Sequence, residues 1–331
     1  MAQERGDVGV AVDAATNFAR RLVEKYELSP PVDVESLVRK YADLVFASIP
    51  FEGADGISLN LKVSGKTTRV IVNRNKPIIR QRFTMAHELG HVIIPWHVGT
   101  IIDHLDPEEV HETSHYWAIE AEANAFAAEL LMPLSYIEDV ITNNQDLAKA
   151  NEFISRECQV SPIASAKRLA NFAHENAVYA YERNGITNFS GRTNGTIANA
   201  LNRGDVFPSS PFDYAESHFE ERLNGGRIHW WVLPNEMHFD IEDNRTWREI
   251  LDCIVKDVDV QSSNTQKFKS SVNGVVAYAN GACKKSGRHT VDAVISASIQ
   301  RLKDREGYEL FVEHKDFHSF LVKKAQELVG K

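Results

Sequence analysis

One helical segment constrains the chain more than any other, because it places two histidines one turn apart within an apolar stripe. Residues 77–94 begin at a proline, which suits the first turn of a helix, and they are followed by Pro95, which ends one. His87 and His91 stand at positions i and i+4, so their Cβ atoms lie about 5–6 Å apart on one face. Two imidazole nitrogens at roughly 2.0–2.1 Å can then bind one Zn²⁺ ion. The segment therefore predicts a packed, metal-binding helix.

Glu88 completes a His-Glu-x-x-His pattern with these histidines. A carboxylate at that position lies beside the metal and can take a proton from a water molecule that the metal binds. The pattern therefore predicts a hydrolase with Glu88 as its general base. Gly90 lies inside the same helix and costs about 1 kcal/mol relative to alanine, so we expect another backbone to approach the helix closely at this point.

The same pattern recurs at residues 111–115, so its presence alone is not specific. This second copy follows an acidic stretch at 106–109 and coincides with the start of a predicted helix. Residues 87–91 instead lie within a long amphipathic run, which can be packed as firmly as a preorganised metal site requires. We therefore favour the first copy as the metal-binding helix.

A third protein ligand is expected for a catalytic zinc ion, and the apolar helix predicted over 114–131 offers two candidates. Glu120 and Glu122 are two residues apart and cannot share a helix face, whereas Glu120 and Asn124 do. A side-chain amide there can hydrogen-bond the back of a ligand histidine and set its tautomer. We choose Glu120, expect Glu122 to be solvated, and keep His115 as the alternative ligand.

The two helical segments together resemble the ImmA/IrrE family of bacterial metallopeptidases. The resemblance is carried by the run at 82–91, Arg-Phe-Thr-Met-Ala-His-Glu-Leu-Gly-His, and by the run at 120–133, and it extends over about residues 10–175. It implies a zincin-like core that is mostly helical with a small sheet. It also implies three metal ligands and one general base: His87, His91 and Glu120, and Glu88.

The resemblance further implies a zinc endopeptidase that cuts a transcriptional repressor in a stress, DNA-damage or mobile-element response. Two imidazoles and one carboxylate suit zinc, and manganese is the alternative in the cell. Two other classes stay open: a regulatory or DNA-binding protein that keeps the zinc fold without cutting, and a toxin–antitoxin component. A pure binder has no need of Glu88, and this favours the enzyme.

Composition bounds the remaining possibilities. Hydrophobic residues make up 43% of the chain and charged residues 25%, a globular balance. The net charge of −9 argues against a protein that coats nucleic acid as a whole. The three cysteines are far apart, the start of the chain lacks a signal-type apolar stretch, and no run approaches about 18 apolar residues. We expect a cytoplasmic protein with no membrane partner.

The predicted fold class is α+β, with three parts. A zincin-like metallopeptidase domain is expected at 1–135, a helical segment at 136–175, and a mixed α/β domain at 176–331 that senses a signal or binds a partner. Longer family members have a GAF-like domain in the last position, and this label rests on length and position only. Residues 145–172 read as packing helices, with a helix-turn-helix as the alternative.

Basic and aromatic residues are interleaved within 261–331. This is the combination that binds a single-stranded nucleic acid or a nucleotide. An ordinary solvated basic face is the favoured alternative. In the first part, His97 either lines the metal site or lies in a helix-ending loop. His97, His104, His115 and Tyr116 are all candidates for stabilising an oxyanion. The strand predicted at 69–73 is a candidate edge for pairing with an extended substrate.

Overall fold

The chain consists of two compact units in a computed structural model, Met1–Leu169 and Ala170–Lys331. The model describes residues 2–50, 53–102, 113–258, 264–303 and 305–330, of which 2–11 and 113–115 are described by their backbone only. Each unit combines helices with a small sheet, which confirms the predicted mixed α+β class. The division into three domains that was predicted from the sequence stays a prediction. Across these described ranges, no helix is both long and apolar enough to cross a membrane.

The first unit contains a four-stranded sheet and a set of helices. Its strands are β1 (Asp43–Ala47), β2 (Gly56–Leu61), β3 (Arg69–Asn73) and β4 (Gly99–Ile102). Its helices are α1 (Ala2–Lys25), α2 (Val34–Arg39), α3 (Ile78–Ile93), α4 (Thr113–Leu131), α5 (Leu134–Asn143), α6 (Leu147–Glu157) and α7 (Pro162–Phe172), the last of which continues into the second unit.

The sheet has the strand order β1-β3-β2-β4, with β1 parallel to β3 and the other pairs antiparallel. The predicted hairpin of β2 and β3 is confirmed. β3 is hydrogen-bonded on both sides, so the prediction that residues 69–73 offer a free edge to a substrate is wrong. β4 lies at one edge and pairs only with β2 among the described strands.

Helix α3 packs closely on α4, and Gly90 makes this approach possible. A Cβ atom added at Gly90 would lie 3.3 Å from the Cα atom of Ala123 and 3.2 Å from Cδ1 of Phe126. The backbone contact predicted from the glycine is therefore present. The close packing buries the middle of α3 and brings its metal-binding face against α4.

A buried ion pair joins α4 to α7. The Arg168 guanidinium donates to the Glu129 carboxylate at 2.6 Å, and both side chains are almost fully buried. Arg20 on α1 also pairs with Glu129, at 3.3 Å. Arg168 is therefore engaged in packing this unit and cannot contact a nucleic-acid phosphate. Its position favours the packing-helix interpretation of residues 145–172 over the helix-turn-helix.

The second unit contains an antiparallel sheet and a helical layer. Its strands are β5 (Ala177–Arg183), β6 (Ile186–Arg192), β7 (Ser217–Leu223) and β8 (Gly226–Val232), in the order β6-β5-β8-β7. Its helices are α8 (Trp247–Asp257), α9 (Thr265–Lys285), α10 (Val291–Leu302), α11 (Glu309–Val312) and α12 (Phe317–Val329).

The helical layer has its own core, and that core includes aromatics that were candidates for binding a nucleic acid or a nucleotide. Tyr308 and Phe311 are 7% and 1% exposed and pack with Phe317 and Phe320. Phe268 stacks on Tyr308 with ring centroids 5.0 Å apart. These rings therefore stabilise the unit and are not available to stack on bases.

Candidate metal centre

Helices α3 and α4 of the first unit bring His87, His91 and Glu120 together. The Nε2 atoms of the two histidines are 3.0 Å apart. The carboxylate oxygens of Glu120 lie 3.1 Å from Nε2 of His87 and 3.5 Å from Nε2 of His91. All three residues are buried. The three side chains chosen from the sequence as ligands therefore meet at one point, with their donor atoms facing each other.

The donor set fits a divalent zinc ion. Ligand bonds of roughly 2.0–2.1 Å in a tetrahedral site place neighbouring donor atoms about 3.4 Å apart, close to the distances observed between the three groups. The Oε1 atom of Glu120 is buried and has no hydrogen-bond partner among the described residues. Such an oxygen costs free energy unless it binds something, and a metal ion satisfies it.

The ionisation states also suit a metal. Burial works against the charged form of Glu120, but the adjacent imidazoles of His87 and His91 outweigh it and lower the Glu120 pKa to about 2. Burial lowers the pKa of His91 to about 4, against the opposing effect of Glu120. The carboxylate is therefore ionised and the His91 imidazole neutral near pH 7, which are the forms that bind metals.

Asn124 holds His87 in the orientation expected from the sequence. Its Oδ1 atom lies 3.1 Å from Nδ1 of His87. An amide oxygen can only accept, so Nδ1 carries the proton and donates it. The lone pair on Nε2 is then free for the metal, as outer hydrogen bonds of this kind commonly arrange.

A second support holds His91, and the sequence did not predict it. Nδ1 of His91 is 2.8 Å from Nδ1 of His97, and Nε2 of His97 is 3.1 Å from Oε2 of Glu122. Because an ionised carboxylate only accepts, a neutral His97 carries its proton on Nε2 and accepts from His91 through Nδ1. His91 then also presents a free Nε2 lone pair. Trp96 donates to the same Glu122 oxygen at 2.6 Å.

This support corrects two expectations. Glu122 was expected to be solvated, but it is 4% exposed and forms the far end of the chain behind His91. His97 is fully buried and uses both ring nitrogens in this chain, so it is not a donor to an oxyanion. The physical reason is the turn after α3, which returns the chain towards α4. In the sequence, the only signal for this support was a histidine six residues after a ligand histidine.

Glu88 is fully buried next to β2. Ser58 on that strand donates to Oε2 of Glu88 at 2.5 Å. Gly56 leaves room for the other carboxylate oxygen, because a Cβ atom there would overlap Oε1 of Glu88. The strand therefore fixes the position of the Glu88 carboxylate.

The remaining sequence candidates are not brought to this cluster by the described structure. The hydroxyl of Tyr116 donates to the carbonyl oxygen of Ile102 at 3.0 Å and so links α4 to β4. Residues 111 and 112 of the second pattern and the candidate His104 lie outside the described residues, and of residues 113–115 only the backbone is described. No oxyanion-stabilising residue is therefore assigned.

Similarity to known proteins covers this unit. Residues 39–170 match the family model of the IrrE N-terminal-like domain, Peptidase_M78. The resemblance to the ImmA/IrrE family predicted from the two helical motifs is thereby confirmed. The chain is also 29% identical over 136 residues to the radiation response metalloprotease IrrE of Deinococcus deserti. That alignment covers 39% of this chain and 48% of the relative, so the chain spans about half the length of the curated relative that it matches.

Proposed function

We propose that the first unit is a zinc endopeptidase in which His87, His91 and Glu120 bind the metal. The observation that carries the proposal is the meeting of these three buried side chains at distances that suit one zinc ion. The family-model match over residues 39–170 and the similarity to a metalloprotease support it. Two imidazoles and one carboxylate suit zinc better than manganese, because manganese prefers oxygen ligands.

Glu88 is the proposed general base. Zinc in such a site lowers the pKa of a water molecule that it binds and polarises a peptide carbonyl. The Glu88 carboxylate takes the proton of the attacking water and passes it to the leaving amine. Its hydrogen bond from Ser58 fixes the position of this carboxylate.

The substrate is a protein segment in extended form. β3 is enclosed on both sides, whereas β4 pairs only with β2 among the described strands, so β4 is the strand on which a substrate pairs. The relative is described as a radiation response metalloprotease, and we propose by analogy that this chain cuts a transcriptional repressor or a similar regulatory protein in a stress response. The second unit is proposed to sense the signal, as a GAF-like domain would.

A nucleic-acid signal is the weaker form of this sensor proposal. Lys267, Lys284 and Lys285 are exposed on α9 and supply positive charge. Lys269 and Lys303 are ion-paired with Asp252 and Asp213, each at 2.7 Å. With Tyr308 and Phe311 in the core, exposed Tyr278 is the aromatic that stays available to a base.

The proposed activity is tested by comparing the wild-type chain with Glu88→Gln. Both are incubated with a protein extract of the host cell, and new protein N-termini are labelled and identified by mass spectrometry. Wild type is expected to create specific new N-termini that Glu88→Gln does not, while both hold the same amount of zinc. Glu138→Gln removes an exposed carboxylate on α5 and serves as the matched control that still cuts. Cleavage by Glu88→Gln would contradict the assigned base.

The non-proteolytic alternative predicts a different outcome from the same experiment. A zinc-fold regulator would create no new N-termini in either variant, yet would keep a bound partner of unchanged mass. Intact-mass measurement of co-purified proteins separates these two results.

A further inference from the structure

The second unit contains another His-His-Glu cluster, on the ladder formed by β7 and β8. His218 and Glu220 are two residues apart on β7 and project from the same face of the sheet. His229 lies on β8 directly opposite Glu220 in the register, and His218 is opposite Trp231. The pairing therefore gathers two imidazoles and one carboxylate on one face of a rigid antiparallel ladder.

The donor atoms of this cluster face each other. Nε2 of His218 is 3.1 Å from Nδ1 of His229, and Oε2 of Glu220 is 3.5 Å from the same Nδ1. The ligand atoms of all three residues lie within 4.8 Å of one another. These separations are close to the 3.0–3.5 Å found among His87, His91 and Glu120.

Aromatic packing fixes the two imidazoles. The ring planes of His218 and His229 are inclined by 4° and 9° to that of Trp231, with ring centroids 5.0 and 5.5 Å from it. Phe207 covers His229 with a centroid distance of 4.8 Å. His229 is only 5% exposed. The histidines are therefore held in one orientation by their neighbours.

The described polar contacts of the His229 side chain are both with members of the cluster. Its Nε2 atom is buried and has no hydrogen-bond partner among the described residues, so the ring reaches His218 and Glu220 through Nδ1 alone. The cluster opens on a cavity of about 680 Å³, which Phe212 and Trp231 also line. A group bound between the three side chains thus has a free side that faces this cavity.

We propose that His218, Glu220 and His229 form a second binding site for one divalent transition-metal ion, with zinc as the best-fitting ion. Two imidazoles and one carboxylate are a zinc-type donor set, and three protein ligands leave one position open. In this site the open position faces the cavity, where a water molecule or a small anionic ligand completes the coordination. The proposal concerns the second unit only and does not rest on the proposed peptidase.

The experiment counts zinc in the full chain after equilibration with buffered zinc and removal of excess metal. Wild type is expected to hold two zinc ions per chain. His218→Ala and Glu220→Gln, which change exposed side chains, are expected to lower zinc binding to one ion or to weaken the second site at least about tenfold. His229 is not replaced, because its ring is part of the packing.

His238→Ala is the matched control. His238 is exposed and pairs with Asp292 at 3.1 Å in the same unit, and the described residues offer no third ligand beside them. This variant is expected to keep both zinc ions. A second measurement is the rise in melting temperature when zinc is added to metal-free protein, which the second site contributes to in wild type and His238→Ala but not in His218→Ala.

Three results are decisive. Two zinc ions in wild type, one in His218→Ala and two in His238→Ala support the proposal. A single zinc ion in wild type that is lost in His218→Ala supports it as well, and contradicts the metal site of the first unit instead. A zinc content and a zinc affinity that are both the same in wild type and His218→Ala overturn the proposal and leave the cluster as a hydrogen-bonded histidine pair.

Discussion

The two His-His-Glu clusters of this chain differ in the scaffold that presents them. In the first unit, ligand histidines one helical turn apart meet a glutamate from a second helix, and all three are buried. In the second unit, one strand supplies a histidine and the glutamate, both exposed, and the facing strand supplies the buried histidine. The distances between the donor atoms are similar in the two clusters, but the burial of the ligand side chains differs.

The supports behind the ligands differ in the same direction. His87 and His91 each have an oriented hydrogen bond at Nδ1, to Asn124 and to His97. His229 has no hydrogen-bond partner at its second nitrogen within the described part of the chain, and it is held by ring stacking. Outer hydrogen bonds fix tautomers and raise ligand basicity. We therefore expect the helical cluster to bind zinc more tightly and the strand cluster to exchange it more readily.

The largest expected effect contrasts the two glutamates. Glu120→Gln removes a buried carboxylate between two imidazoles and should weaken zinc binding in the first unit by more than about 100-fold, beyond the usual cost of an outer partner. Glu220→Gln should weaken the second site by about tenfold, because its carboxylate is partly solvated. Competition with a chromophoric chelator measures both. Equal losses would show that burial does not set the difference.

Glu122→Gln tests the support behind His91. A glutamine amide is neutral and can turn its NH2 group towards His97, so the proton of His97 is no longer kept on Nε2 by a carboxylate and the orientation of His91 is no longer fixed. Zinc affinity in the first unit should fall about 10- to 100-fold, with the second site unchanged. Glu138→Gln is the control. An unchanged affinity in Glu122→Gln would mean that the chain of two histidines and a carboxylate does not act on the metal.

The sequence predicted the helical cluster well because helical spacing is a local property. Two histidines four residues apart and a glutamate four residues before an asparagine fix their own faces, so His87, Glu120 and Asn124 could be placed without knowledge of the fold. Gly90 predicted a close approach for a similar reason. Pro95 and Pro133 then limited where the helices could end.

The sequence could not predict contacts that depend on strand pairing or on the path of a turn. Glu220 and His229 meet only because β7 and β8 pair in one register, and β7 was not predicted at all. Glu122 was misplaced because helix position alone made it solvent-facing, whereas the turn carrying His97 covers it. β1 and β4 escaped prediction because strands of four or five residues carry too few alternations.

A third prediction concerns Gly56 on β2, which lies against the carboxylate of the proposed base. Gly56→Ala adds a methyl group where the Glu88 carboxylate lies, and this side chain must move away from its hydrogen bond with Ser58. Small misplacements of a catalytic group are costly, so cleavage should fall about tenfold while zinc content stays at the wild-type value. Full activity in this variant would show that Glu88 tolerates displacement and is not held for catalysis by β2.

The smallest expected effect has opposite signs in the two units. Gly90→Ala gains about 1 kcal/mol of helix propensity but forces a methyl group against the backbone of Ala123 and the ring of Phe126, and such overpacking costs about 1–3 kcal/mol. Gly274→Ala, inside α9, meets no atom within 4 Å and keeps the full gain. Denaturant unfolding should show Gly90→Ala destabilised or neutral and Gly274→Ala stabilised by up to about 1 kcal/mol. If Gly90→Ala were stabilised as much as Gly274→Ala, the two metal-binding helices of the first unit would not be in close backbone contact, and the buried geometry that distinguishes the helical cluster would lose its basis.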